Sequence, residues 1–466
     1  MFTVKGRNMS IAESKLQKQF LPAAQSLKRE LSAWRDQAPS FNGAFTSDSH
    51  ALSDFVRRGE QLLAQLPPKP QRDKDQLAQS QCLHDACRSS RSAFMRLHAR
   101  AVYRSLATEP HGHRHLSELA FAAAELVPGL MPTPVQIARE CEYRQADKEQ
   151  REIDQAIFFH ALLDLPDIGT DIVRRLLQPS AKALGLLPQF RREGRLELEA
   201  LTIERRGRVC HITVNNASCL NAEDNQLIDN METAIDLTLL DDGCAVGVLR
   251  GAPMTHPRYL GKRVFSAGIN LKHLHQGKIS YLDFLLRREF GYINKMARGL
   301  MLELDMPDTG APRIVEKPWI AAVESFAIGG GAQILLVCDR VIAAHESYFS
   351  LPAAHEGIVP GVANLRLGKR AGMRLARQII LDGRKVWANE PDGVHLFDEV
   401  VQAPDMDAAI DAAARRLDSP AVIANRKMLR LAEEPLDAFR AYMAEFTLEQ
   451  ARRMYSEDVL QKVGKA

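Results

Sequence analysis

A chain of 466 residues is long enough for two or three domains, each with a sizeable core. Its hydrophobic content of 45% and charged content of 26% are those of an ordinary soluble globular protein and exclude large-scale disorder. With 61 basic against 58 acidic residues the formal charge is +3, too balanced to mark a nucleic-acid binder, although a local basic patch remains compatible with it.

The opening "MFTVKGRNMS" lacks the apolar segment of a signal peptide, and Met9 is a candidate natural start. No apolar run reaches the roughly 18 residues that suggest a membrane span. The seven cysteines are scattered and odd in number, which predicts free thiols in a reducing compartment. These features predict a soluble, cytoplasmic protein. From about Ser10 to Gln189, apolar residues recur at three- and four-residue spacing, as in "SKLQKQFLPAAQSLKRELSAW", and predict an all-helical region over residues 1–195. Alternation in "LELEALTIERRGRVCHITVNN", residues 196–216, predicts a two-stranded hairpin. There follow a helix ("NQLIDNMETAIDLTLL"), a strand ("CAVGVLRG"), a long helical stretch over 281–304, the strand "KPWIAAVES", a helix after three glycines, and the strand "DRVIAA". This succession predicts an α/β layered domain over residues 196–405. Residues 406–466 read as helical again, suited to packing on the core or on another subunit.

Two junctions carry the chemistry. In "ESFAIGGGAQILLVCD", glycines between a strand and a helix let backbone N–H groups face a ligand, or serve close packing alone. Neither dinucleotide nor P-loop spacing is present. In "KRVFSAGINLKHL", a short apolar segment ends at Ala267-Gly268, and the Ile269 amide follows. Two such amides from separate loops make an oxyanion hole able to stabilise a thioester enolate, each donor worth roughly 3–4 kcal/mol in the transition state.

"FSAGINL" followed by "KPWIAAVESFAIGGGAQILLVCDRVIAAHESYFSLPAAHEGIVPG" resembles the crotonase (enoyl-CoA hydratase/isomerase) superfamily. The resemblance covers about residues 196–405. It implies the crotonase fold of repeated ββα units, an acyl-CoA substrate, an oxyanion hole at the amides of Ile269 and Gly330, and a homo-oligomer, either a trimer or a dimer of trimers. Hydratases of this superfamily carry one glutamate after the glycine run and another in a later "P-E" pair; Gln333 and Ala353 stand there in this chain. An amide does not shuttle protons near neutral pH, and a methyl group has no proton to exchange. Water addition is therefore not expected. Together with the helical N-terminus, these departures resemble the cofactor-independent dioxygenases that act on 3,5-dihydroxyphenylacetyl-CoA in glycopeptide-antibiotic pathways.

This narrower resemblance implies that O2 and a CoA thioester are substrates, that no cofactor or metal takes part, and that Gln333 is a neutral hydrogen-bonder beside the enolate. It further implies that Glu223, in "LNAEDN", and Arg288, in "LLRREF", bind ring hydroxyls. On residues alone, Glu223 also reads as a helix N-terminal charge and Arg288 as a solvated arginine. His256, Pro257, Arg258 and Tyr259, in "THPRYLGKR", suit CoA phosphates and adenine, or form a plain basic loop. Ala267, Gly268, Asn270, Leu271, Gly329 and Ile358 complete the expected substrate site. Leu271, Ile334 and Ile358 read equally as walls of a dry oxygen pocket or as core. "HGHRH" (His111, His113, His115) and "CLHDAC" (Cys82, His84, Cys87) lie outside this region and lack an evident closing partner for a metal. A thioester hydrolase or isomerase on the same fold, or a non-catalytic acyl-CoA-binding scaffold, are the rival functions.

Overall fold

The computed structural model describes residues 27–107, 115–303 and 313–464. Met9, the predicted helix from Ser10 to residue 26, and His111 and His113 lie outside the described residues.

The N-terminal region is helical, as its spacing predicts: α1 (Phe45–Leu63), α2 (Lys74–Leu106), α3 (Leu116–Leu126), α4 (Pro134–Glu140), α5 (Arg151–Asp164), α6 (Pro166–Leu176) and α7 (Ala181–Glu193). Local chemistry sets their starts. Asp73 accepts from the Gln76 N–H at 2.8 Å, while the Gln76 side chain accepts from the Asp73 N–H at 3.0 Å, closing a capping box on α2. Pro134 and Pro166 begin α4 and α6, where a missing N–H costs nothing. Buried charges are paired: Asp154 on α5 meets both Arg88 and Arg91 of α2.

The strands begin with β1 (Arg195–Leu198), β2 (Leu201–Arg206) and β3 (Val209–Val214), followed by α8 (Asn225–Leu240) and β4 (Val246–Gly251). The single strand expected from "LELEALTIE" is thus two strands, because the chain turns at Glu199-Ala200 and folds β1 back on β2. Next come α9 (Leu271–His275), a π-helical turn (Tyr281–Leu286) running into α10 (Arg287–Phe290), and α11 (Tyr292–Arg298). The helical stretch predicted to 304 ends at Arg298. Gly299, at φ +84°, reverses the chain, and β5 (Leu300–Glu303) pairs with β6 (Arg313–Val315).

Then follow β7 (Trp319–Val323), β8 (Phe326–Ile328), α12 (Gly330–Leu335), β9 (Arg340–Ala344), β10 (Tyr348–Ser350), α13 (Ala353–Glu356), α14 (Ala363–Ala371), α15 (Met373–Asp382), β11 (Val386–Trp387) and β12 (Glu399–Val401). The ββα unit recurs as β2-β3-α8, β7-β8-α12 and β9-β10-α13. The main sheet has the order β1-β2-β3-β4-β7-β9-β12, antiparallel as far as β3 and parallel beyond it. All five residues of β7 are buried, as a central parallel strand covered on both faces requires. A second sheet, β11-β10-β8, carries β8 and β10 alongside each other in parallel, so both chains leave it toward the same end.

The chain closes with α16 (Met406–Leu417), α17 (Pro420–Glu433), α18 (Leu436–Arg453) and α19 (Glu457–Val463). Helix α18 packs between the N-terminal helices and the α/β core. The Arg440 guanidinium donates to the Leu163 carbonyl at 2.5 Å, and the Tyr281 hydroxyl donates to the Thr447 carbonyl at 2.6 Å. On α17, by contrast, Met428, Leu429 and Leu431 are exposed. Among the described residues, no helix is long and apolar enough to cross a membrane. All seven cysteines are free thiols.

Candidate active site

The two glycine junctions lie against each other. Ile328 donates its N–H to the Ser266 carbonyl at 3.0 Å, and the Ser266 hydroxyl accepts from the Gly268 N–H at 3.1 Å. Gly329 donates to the Ser350 carbonyl at 2.8 Å, which ties the second loop to β10. Gly268 takes φ +87°, and a Cβ added there would lie 3.2 Å from the Ile328 carbonyl oxygen and 3.6 Å from the Gly330 nitrogen. The Glu223 N–H donates to the Gly268 carbonyl at 2.7 Å, and the Asn270 N–H donates to the Glu223 carbonyl at 2.8 Å. Successive amides along an extended segment face opposite ways, so the Ile269 N–H points away from this pairing. Gly330 opens α12, and its N–H belongs to the first turn, which lacks intrahelical acceptors. Among the described residues neither amide has a backbone acceptor, and Ile269 and Gly330, from separate loops, line one cavity.

Beside them lies a buried polar cluster. Glu223, Arg288, Glu289 and Gln333 are 3%, 4%, 2% and 9% exposed, so each needs partners within the fold. Arg288 supplies them. Its Nε donates to Glu223 at 3.0 Å, Nη1 to Glu289 at 2.6 Å and to the Gln333 amide oxygen at 2.8 Å, and Nη2 to the Gly330 carbonyl at 2.5 Å. The Tyr292 hydroxyl donates to the other Glu223 oxygen at 2.8 Å. Burial opposes the Arg288 charge, but Glu223, Tyr292 and Glu289 outweigh it and hold the guanidinium above its ordinary pKa. Burial likewise pushes the Tyr292 phenol well above its ordinary value, so it stays a donor. Packing is tight: a Cβ on Gly330 would fall 1.6 Å from a Glu223 oxygen.

A cavity opens over this cluster. Of the residues singled out from sequence, it is lined by Glu223, Ala267, Gly268, Ile269, Leu271, Arg288, Gly329, Gly330, Gln333 and Ile358, and also by Ala353. Asn270 is not among the lining residues. Its side chain caps α9 by accepting from the His273 N–H at 3.1 Å. Ile334 is buried in the core. His256, Pro257, Arg258 and Tyr259 form an outlying 3-10 turn that does not line the cavity. Tyr259 packs edge-on against Phe326 at 5.6 Å, at the start of the strand that leads to the glycines.

Sequence reasoning missed several lining residues. Glu289 and Glu356 are acids beside the cavity, and Phe284 and Leu285 come from the π-helical turn, whose wider pitch presents neighbouring side chains to one wall. Phe446 and Gln450 come from α18, and Gln450 is anchored by accepting from the Val359 N–H at 2.9 Å. The hydratase glutamate pattern pointed to Ala353 and not to Glu356, which stands three residues further along α13.

Of the alternative metal clusters, Cys82, His84, Cys87 and His115 are among the described residues. His84 Nε2 donates to the Glu149 carboxylate at 2.9 Å, while the Cys87 thiol faces the α1 glycine Gly59 and is pushed up to about 11 by burial. His115 begins α3, its N–H donating to Glu118 at 3.3 Å. Among the described residues no group of three or more potential ligands forms a metal site.

Comparison with known proteins shows the family. Residues 309–458 match the enoyl-CoA hydratase/isomerase family. The chain is 50% identical over 417 residues to a (3,5-dihydroxyphenyl)acetyl-CoA 1,2-dioxygenase of Amycolatopsis orientalis, covering 90% of this chain and 95% of that protein. It is 29% identical over 231 residues to a short-chain-enoyl-CoA hydratase of Clostridium acetobutylicum, covering 49% of this chain and 79% of the relative. A crystal structure of an enoyl-CoA hydratase from Mycobacterium avium subsp. paratuberculosis superposes with a TM-score of 0.47 at 21% identity, covering 58% of this chain and 99% of that one. The chain belongs to the crotonase (enoyl-CoA hydratase/isomerase) superfamily and, within it, to the family of the (3,5-dihydroxyphenyl)acetyl-CoA 1,2-dioxygenase.

Proposed function

We propose that the protein is a dioxygenase that converts (3,5-dihydroxyphenyl)acetyl-CoA and O2 into 3,5-dihydroxyphenylglyoxylate and CoA, without metal, flavin or haem. The observation that carries this reading is the 50% identity over 95% of the Amycolatopsis orientalis dioxygenase. The cavity supplies the chemistry. The thioester carbonyl oxygen accepts from the Ile269 and Gly330 amides, which stabilise the enolate formed when the α-proton leaves. That enolate is electron-rich, and O2 takes an electron from it directly; the two radicals combine into an α-peroxide. The peroxide attacks the thioester carbon, CoA departs as its thiolate, and O–O cleavage yields the ketone and the carboxylate.

Glu223 orients the aryl ring in this scheme. Its two oxygens are held by Tyr292 and Arg288, yet a carboxylate has further lone pairs with which to accept from a ring hydroxyl. Four of the five Arg288 donors are already committed within the protein, so Arg288 acts chiefly by positioning Glu223 and Gln333. The Gln333 oxygen is taken by Arg288, which leaves its NH2 to donate to the substrate or the peroxide. Phe284, Leu285, Ile358 and Phe446 give the cavity apolar walls that favour O2 over water. The loop from His256 to Tyr259 lies outside the cavity and takes the CoA nucleotide. The homo-oligomer proposed, either a trimer or a dimer of trimers, follows from the superfamily resemblance, and the exposed Met428, Leu429 and Leu431 of α17 are apolar surface available for burial between copies.

Turnover under 18O2 tests the reading through the mass of the arylglyoxylate. Two labelled oxygens are expected, one in the ketone and one in the carboxylate. An unlabelled acid product would identify a thioester hydrolase instead.

A further inference from the structure

The reaction needs a base for the α-proton, and three carboxylates line the cavity: Glu223, Glu289 and Glu356. Two are already engaged. Glu223 accepts from Arg288 and Tyr292. Glu289 accepts from Arg288 at 2.6 Å through one oxygen and from the Val362 N–H at 3.3 Å through the other. Glu356 differs from both. Among the described residues no hydrogen bond or ion pair takes its carboxylate, and it is partly exposed at the cavity edge.

Its placement is set by the same framework that holds the two amides. The Ser350 carbonyl that accepts from Gly329 lies just before Pro352, which caps α13. Ala353 and Glu356 are three residues apart on that one-turn helix and therefore share a face, and both line the cavity. The small Ala353 side chain leaves room between this helix and the glycine loop for the acyl group. Gln333, which also lines the cavity, cannot take a proton near neutral pH.

We infer that Glu356 is the catalytic base that takes the α-proton of the arylacetyl thioester. The inference rests on the dioxygenase reading above. Glu223, Glu289 and Arg288 share the cavity lining with Glu356, His355 stands beside it on α13, and Arg453, which donates to the Gly357 carbonyl at 2.6 Å, and its ion-pair partner Asp458 pack against the end of the same helix.

Stoichiometry gives the base two turns of duty. The acid product and CoA thiol together carry the two hydrogens that began on the α-carbon. In the first step a C–H bond breaks, the Glu356 oxygen takes the proton, and the electron pair forms the enolate at the Ile269 and Gly330 amides. After O2 has added and the thioester has been cleaved, protonated Glu356 returns that proton to the CoA thiolate. Glu356 then takes the second α-proton as the C–H pair becomes the ketone π bond and the O–O pair leaves on the carboxylate oxygen. O2 is the oxidant, and no other co-reactant is required.

Hydrogen exchange separates this step from everything after it. (3,5-Dihydroxyphenyl)acetyl-CoA is incubated with enzyme in D2O without oxygen, and α-deuterium is followed by mass spectrometry. Wild type is expected to exchange the α-hydrogens. Glu356→Gln is expected to slow exchange on the order of a hundredfold or more at unchanged substrate affinity. Glu356→Asp is expected to restore a measurable part of the rate together with its acid-side pH dependence, which a merely structural residue would not do. Exchange by Glu356→Gln at the wild-type rate would overturn the assignment. Wild-type exchange with no oxygen uptake in air would overturn the dioxygenase reading, while the Glu356→Gln comparison would still decide the base.

Discussion

Arg288 holds Gln333 by its amide oxygen, Nη1 to Oε1 at 2.8 Å. Because a guanidinium only donates, this bond fixes which end of the amide faces Arg288 and leaves the NH2 toward the cavity. The same Nη1 also donates to Glu289 at 2.6 Å. The glutamine is thus one arm of a charge cluster, and its neutrality has an electrostatic reason: two carboxylates already share this one guanidinium.

Replacing Gln333 by Glu adds a third carboxylate beside Arg288 and next to the proposed enolate site. Oxygen uptake by Gln333→Glu is expected to fall by about tenfold or more, equivalent to roughly 1.4 kcal/mol of transition-state stabilisation. Steady-state measurement in an oxygen electrode checks this. Uptake at the wild-type rate would show Gln333 to be scaffold only.

Gly330→Ala places a Cβ where a Glu223 oxygen now sits, 1.6 Å away by ideal geometry. The substitution displaces Glu223 and tilts the amide proposed to receive the enolate oxygen. Turnover is expected to drop by about 10²–10³-fold, the usual effect of losing one oxyanion donor. Circular dichroism together with kcat separates this from unfolding.

Arg288→Met leaves Glu223 and Glu289 buried without their shared counter-charge. Removing one partner from such a cluster costs about 3–5 kcal/mol. The urea midpoint is expected to fall accordingly. Arg288→Lys is expected to recover part of the stability and little of the activity, because an ammonium lacks the planar fork that holds Glu223, Glu289 and Gln333 together.

Acid stability has a separate origin in the helical region. Burial alone would raise the Glu149 pKa, but hydrogen bonds from His84 and Arg72 outweigh it and hold it at about 2. A depressed carboxylate contributes stability that is present in full above its unfolded value, about 4.3, and is lost as pH falls through the folded value. Glu149→Gln is therefore expected to be less stable than wild type at neutral pH, and the gap to narrow as pH falls from about 4.3 toward 2. Urea midpoints across that range give the measurement.

How far the site could be read in advance depended on whether local chemistry marked it. Gly268 and Gly330 stand in short motifs because the backbone there has positive φ or no room for a side chain, and such demands are visible as glycine. The turn at Glu199-Ala200 was hidden because the apolar alternation of "LELEALTIE" runs through it undisturbed. Glu289 was hidden for another reason. The π-helical turn before it shifts the facing of "YLDFLLRREF" away from a regular helical register. Phe446 and Gln450 reach the cavity from α18, far along the chain, through tertiary packing that no local pattern records. His256 to Tyr259 were marked by their charge and aromatic character, and the turn they form lies outside the lining of the cavity, where the role proposed for it is contact with the CoA nucleotide.

The central claim is that enolate and O2 react in this cavity without a cofactor. The most direct measurement gives metal-stripped protein (3,5-dihydroxyphenyl)acetyl-CoA in an oxygen electrode while free CoA thiol is titrated in parallel. The account predicts undiminished uptake, with one O2 consumed for each CoA released. CoA release without oxygen uptake, or uptake that disappears on removal of metal and returns when it is restored, would contradict it.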